Sequence, residues 1–179
     1  MPEKNKDYSK LTQRVAFLGI LGATALVISF LENLIPNLPG MPPGAKPGFS
    51  NIVTMFTVSA MGLPSAIYIV LLKAVFAGVT RGATAFFMSL SGGFLSMIVM
   101  YVLLKRKRQP FSLIGVGIIC AIVHNMAQLA VASVISATKS IFYYAPFLLL
   151  FAVITGSVTG TILKAIMPAL EKVSKHFIK

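Results

Sequence analysis

The sequence predicts an all-α integral membrane protein, a bundle of six transmembrane helices with both termini cytoplasmic, and three observations carry that prediction. Hydrophobic residues fill 56% of the 179 positions and charged residues only 11%, with a mean hydropathy of +0.86, far from the composition of a soluble domain. The apolar residues come in continuous runs and do not alternate with polar ones, which excludes a β-barrel. The basic residues gather in three short stretches that fall on one side when the runs are threaded back and forth across a bilayer.

One crossing of about 30 Å takes roughly 20 residues, so the chain holds about six spans and no separate soluble domain. The first is predicted from Arg14 to Leu31, behind a cytoplasmic tail of residues 1–13. Ser29-Phe30-Leu31-Glu32-Asn33 offers no small-x-small cleavage site, so this span reads as uncleaved. Residues 32–48, ENLIPNLPGMPPGAKPG, then interrupt the apolar pattern with Pro36, Pro39, Pro42, Pro43 and Pro47. Proline removes a backbone donor and fixes φ, so this external segment is predicted to be a stiff, extended loop and a lid over a site. The second and third spans, Phe49 to Gly62 and Pro64 to Val79, are short and meet at Gly62-Leu63-Pro64, where proline forces a tight turn. Ala83 to Leu104, Phe111 to Ser136 and Ile141 to Ile166 complete the set, with a cytoplasmic basic loop at residues 105–110 and a cytoplasmic tail at residues 167–179.

The orientation follows from charge. Lys4, Lys6, Lys10 and Arg14, then Lys105-Arg106-Lys107-Arg108, then Lys164, Lys172, Lys175 and Lys179 fall on one side, against Lys46, Arg81 and Lys139 on the other. The positive-inside rule makes the first side cytoplasmic. The net charge of +12 is therefore mostly topology, and the KRKR run has no need of nucleic acid.

Absences narrow the chemistry. The acidic residues are Glu3, Asp7, Glu32 and Glu171, so the clustered carboxylates of magnesium–diphosphate chemistry are missing. No phosphate-cradling Gly-rich loop ending in Gly-Lys-Ser/Thr is present. His124 and His176 have no second ligand at metal spacing, so no metal site is expected, and no cofactor-attachment motif is present. Cys120 allows no internal disulfide. The chain reads as a non-enzyme whose transport work, if any, draws on a gradient or a partner.

Polar residues inside the spans are the positive signal. Lys73 is predicted near the bilayer centre, where a lysine costs roughly 2.5 to 3.5 kcal/mol and must face the bundle interior or water. It is either a ligand- or ion-pathway group or a structural cation satisfied by carbonyls. His124 and Gln128 share a helix face at i and i+4, with Asn125 beside them, and these residues are open to two readings, ligand contact and interhelical bonding. Lys46 and Asn51 are predicted to face a ligand under the proline loop, with Ser50 or Asn51 capping the second helix where free N–H groups favour anions. Glu32 either pairs with Lys46 or accepts a ligand hydroxyl; the alternative is a rigid connector whose Glu32 and Lys46 pair in water. Small residues mark close contacts: Gly78 and Gly82 at the end of the third span, Ala152, Gly156 and Gly160 down the sixth, and Ala16, Gly19 and Ala23 on the first. Such stripes serve intramolecular packing or docking of another membrane subunit, and the strip Ala16, Gly19 and Ala23 is the best docking candidate.

The ordered set Glu32-x-x-x-Pro36, Pro39-Gly40, Lys46-x-Gly48-x-x-Asn51-Ile52-Val53, Ser91-Gly92-Gly93, His124-Asn125-x-x-Gln128 and Thr155-Gly156-x-x-Thr159-Gly160 resembles the bacterial family labelled heptaprenyl diphosphate synthase component I, also called Gx transporters. The resemblance covers Leu11 to Leu163. The six-span layout is also similar to the substrate-binding S components of energy-coupling factor vitamin transporters. That likeness implies an outer loop closing over a small vitamin- or cofactor-like substrate, and a small-residue strip on the first helix docking a coupling transmembrane subunit that works with ATPases. The rival reading is a non-catalytic accessory subunit of heptaprenyl diphosphate or isoprenoid quinone biosynthesis; no Asp-Asp-x-x-Asp is present to bind diphosphate through magnesium. A third reading, a component of a flavin- or quinone-linked redox system, has no supporting motif.

Overall fold

The structure is a computed structural model that describes residues 2–34, 48–105 and 111–178. Every element among them is helical: α1 (Pro2–Leu34), α2 (Asn51–Met61), α3 (Leu63–Arg81), α4 (Ala83–Lys105), α5 (Leu113–Ile135), a 3-10 helix over Lys139–Tyr144, and α6 (Ala145–Ile178). Five segments are long and apolar enough to cross a membrane: Lys10–Leu34, Leu63–Arg81, Ala83–Lys105, Leu113–Ile135 and Lys139–Val173. The chain is a multi-pass membrane protein.

The second predicted span departs from this pattern. α2 has 11 residues, about 16 Å at about 1.5 Å per residue, half of a bilayer core. Gly62, at φ +83°, ends it and starts α3 with Pro64 in the first turn, so the predicted tight turn forms where a left-handed residue is needed. The end helices also take in sequence read as tail and loop. Residues 2–13 are part of α1, Glu32 lies in its last turn, and residues 167–178 continue α6 through Pro168. Amphipathic charged sequence at the end of a long apolar helix extends that helix, because the nucleus is already formed and each added residue gains a backbone bond.

In a bilayer, a side chain moved from lipid to protein gains packing and little hydrophobic free energy, so small residues that let backbones approach matter most. The α5–α6 contact shows this. A Cβ on Gly117 would stand 2.5 Å from the Gly156 carbonyl oxygen, one on Gly156 would stand 2.5 Å from Ile118 Cα, and one on Gly160 would stand 2.6 Å from Ile114 Cα. The stripe on the sixth helix is therefore spent inside the bundle. At the α3–α4 corner Gly82 turns the chain at φ +91°, and a Cβ on Gly78 would stand 3.1 Å from Phe86 Cβ and 3.4 Å from its ring. α2 sits between α1, α3, α4 and α6, and Asn51 through Val58 are all buried. Phe56 meets Phe17 of α1 edge to face at 6.2 Å, and Met55, Met97 and Met100 fill the space below them. Flexible thioethers suit such irregular gaps.

Candidate functional site

The depth of α2 sets the site. Both α2 and α3 leave the Gly62 turn, so the start of α2 at Asn51, about 16 Å above it, lies level with Lys73, ten residues into α3 and about 15 Å up. The Lys73 ammonium donates to Asn51 Oδ1 at 2.8 Å, and both residues are buried. The internal partner expected for Lys73 is an amide, not a carboxylate.

The one carboxylate near this level is Glu32, 4% exposed in the last turn of α1. The Ser50 backbone N–H donates to its Oε1 at 3.3 Å, and Ser50 Oγ donates to its Oε2 at 3.3 Å. Ser50 therefore does not cap α2 with its side chain as expected; it sits in a helical conformation and spends its hydroxyl on Glu32. Glu32 lies within electrostatic reach of both Lys73 and Arg81. Consecutive residues Ser50 and Asn51 thus bridge a carboxylate on α1 and an ammonium on α3. Lys46, the expected partner of Glu32, lies outside the described residues, as does most of the predicted lid.

His124 and Gln128 of α5 complete the cluster. The i, i+4 spacing brings Gln128 Nε2 to 2.9 Å from His124 Nε2, and both residues are 5% exposed. Two glycines hold the imidazole. A Cβ on Gly92 of α4 would come within 2.9 Å of His124 Nδ1 and 3.0 Å of Gln128 Cγ, and a Cβ on Gly48 would stand 3.5 Å from His124 Cδ2 and 3.1 Å from Asn51 Nδ2. Gly48, at φ +85°, needs glycine on backbone grounds as well. Gly48, Asn51, Gly92, His124 and Gln128, scattered along the chain, thus meet at one place in space. Asn125 points elsewhere: its Nδ2 donates to the Leu148 carbonyl at 3.3 Å, across to α6. Thr155 and Thr159 bond to carbonyls of their own helix.

Ser50, Gly48 and Gly92 are the contacts that sequence reasoning did not assign to the site. The signal for Gly48 and Gly92 was their place in the motifs, but only the fold shows that both press on one histidine. Among the described residues no group of three His, Cys, Asp or Glu is placed to hold a metal ion. Outside the cluster, a groove of about 720 Å³ on the lipid side, lined by Leu71, Phe87, Leu90, Phe94, Val131 and Val134 among others, is almost wholly apolar.

The predicted docking strip faces out. Ala16, Gly19 and Ala23 are exposed on α1, with no atom within 4 Å of the Cβ position at Gly19, whereas Gly22, about a quarter-turn round the helix from the strip, packs against Leu72 of α3.

The chain is similar in structure to a protein described as the S component of a bacterial ECF transporter, with a TM-score of 0.64 and 19% sequence identity over 94% of this chain and 99% of that one; at this identity the likeness speaks to the fold. No curated protein matches the chain. In sequence, residues 21–166 match the family described as heptaprenyl diphosphate synthase component I, and with most of its length inside that match the chain belongs to this family.

Proposed function

We propose that this chain is a substrate-binding membrane subunit of an energy-coupling-factor-type transporter, taking up a small vitamin- or cofactor-like molecule and working with a coupling transmembrane subunit and ATPases. The observation that carries the reading is the buried polar cluster of Glu32, Asn51, Lys73, His124 and Gln128, drawn from four helices to one level of an S-component-like fold. Charged and amide side chains are expensive inside a bilayer, and in membrane proteins they mark substrate and ion paths. The half-length α2 fits the same reading, because irregular backbone at membrane depth is tolerated where it lines a protein interior. The exposed strip Ala16, Gly19 and Ala23 supplies a surface on which a partner helix can approach closely. Both termini are cytoplasmic in this reading, and the start of α2 faces the outer side.

The family's name favours a second reading, a non-catalytic accessory subunit in heptaprenyl diphosphate formation. Purification of the tagged chain from its own host separates the two. Co-purification of a coupling membrane subunit with ATPases, lost on Gly19→Leu, is the expected result. Co-purification of a soluble prenyl synthase in their place would overturn the transport reading.

A further inference from the structure

We infer that the molecule held by this cluster is an organic acid that carries an amide-type N–H donor close to its anionic group. The inference rests on the substrate-binding reading above and names the chemical class that the site accepts. It starts from charge. Lys73, 5% exposed, is a buried cation in a membrane-spanning bundle, and such a charge is costly unless a partner offsets it.

Hydrogen bonding points the same way. An ammonium has three N–H donors, and Lys73 makes one hydrogen bond among the described residues, to a neutral amide oxygen. Glu32 is engaged by Ser50, so the two opposite charges are held apart by consecutive residues of one helix start. An entering carboxylate or phosphate oxygen gives Lys73 the charge-assisted bonds that the protein withholds.

The second half of the class comes from His124 and Gln128. Their mutual bond leaves His124 Nδ1 and Gln128 Oε1 buried without a partner. Nδ1 is turned toward Gly92, where an added Cβ would stand 2.9 Å away. With Gln128 Nε2 donating to His124 Nε2, the atom left to a ligand is the acceptor Gln128 Oε1. A buried acceptor with no donor is costly, and a ligand N–H recovers that cost. A Cβ on Gly48 would touch Asn51 and His124 together, so the amide that holds the ammonium and the ring that holds Gln128 lie side by side.

The test uses the full chain in detergent and three probes: N-acetylglycinate, N-acetylsarcosinate, in which a methyl replaces the N–H, and the neutral N-acetylglycinamide. Thermal unfolding is followed with a thiol-reactive dye at Cys120, the single and buried cysteine. N-acetylglycinate is expected to raise Tm saturably, N-acetylsarcosinate to bind several-fold more weakly, and the neutral amide to have no effect. Lys73→Met is expected to weaken the acid at least about tenfold, and Gln128→Leu to equalise the two acids. An equal response to the neutral amide, an undiminished response in Lys73→Met, or no response to the acids overturns the inference, and the parent's probe series decides even if a variant fails to fold. Native mass spectrometry of the purified parent keeps the two levels apart. A retained neutral or cationic small molecule overturns the acid class and leaves substrate binding standing; no retained molecule, together with no probe response, overturns both.

Discussion

Glycine to alanine at two positions of the same stripe type should have opposite consequences, because one stripe is spent inside the bundle and the other is open. At Gly156 an added Cβ would stand 2.5 Å from Ile118 Cα, 2.8 Å from the Gly117 carbonyl oxygen and 2.9 Å from Ile118 N. Ordinary contact begins near 3.4 Å, so α5 and α6 must separate locally by about 0.9 Å. All three neighbours are backbone atoms, so no rotamer change relieves the clash. Overpacking of this kind costs about 1–3 kcal/mol, offset by up to about 1 kcal/mol from the better helix propensity of alanine. A net loss of about 1–2 kcal/mol should lower Tm by about 2–8 °C in a chain of this size. At Gly19 nothing lies within 4 Å of the Cβ position, and Gly19→Ala should leave Tm unchanged or slightly raised. The absence of tryptophan makes intrinsic fluorescence a weak probe, whereas dye attack on buried Cys120 of α5 reports opening directly. Gly156→Ala at or above the parent Tm, or Gly19→Ala as damaging as Gly156→Ala, would refute the assignment of the two stripes.

The remaining predictions concern the site and the topology. Gly92→Ala should lower Tm less than Gly156→Ala, since its 2.9 Å and 3.0 Å neighbours are the side chains of His124 and Gln128, which can swing; a larger drop than for Gly156→Ala in the dye assay would show that the imidazole is fixed. Gly48→Ala should destabilise by about 1–2 kcal/mol from its left-handed φ of +85° alone, and the same assay would count a neutral result against the placement of residues 48–50. In a Cys120→Ser background, cysteine at the well-exposed Tyr143 should react with an impermeant maleimide on intact cells and cysteine at Lys172 should not; the reverse pattern would invert the bundle.

Much of the fold was legible because a bilayer imposes a long apolar run on each crossing helix, and the boundaries predicted for the fourth and fifth spans fall within two residues of α4 and α5. The second span was less legible. Phe49 to Gly62 is apolar throughout, and hydropathy does not distinguish a helix that crosses from one that stops halfway inside protein. The site was read in part: Lys73 needed an internal partner, and the i, i+4 spacing put His124 and Gln128 on one helix face, where they bond to each other at 2.9 Å instead of across to another helix. The partners themselves are tertiary facts. Glu32 binds Ser50, 18 positions away, and Lys73 binds Asn51, 22 positions away, and no local period encodes either pairing. Asn125, adjacent to His124 in sequence, is turned about 100° round the helix and serves the α6 contact.

The short α2 ties these pieces together. A helix start inside a membrane-spanning bundle leaves backbone N–H groups that lipid cannot satisfy, and each would cost several kcal/mol if orphaned. Asn51 N–H donates to the Gly48 carbonyl at 3.0 Å, Ile52 N–H to the Phe49 carbonyl at 3.0 Å, and Ser50 N–H to Glu32. Glu32 thus does for the entry to α2 what a capping side chain does at a helix start in water, and it can do so only because α1 runs on to Leu34. Asn51 is then placed by the same turn against Lys73. Loss of the carboxylate should therefore disturb the Lys73 side of the cluster as well: Glu32→Gln keeps an acceptor for Ser50 N–H and should fold, but Glu32→Leu orphans that N–H and should loosen Asn51 from Lys73, so that the buried ammonium loses its hydrogen bond too. The dye assay at Cys120 should rank Glu32→Gln well above Glu32→Leu in Tm, and equal values would mean that Glu32 acts by charge alone and that the entry to α2 finds its partners elsewhere.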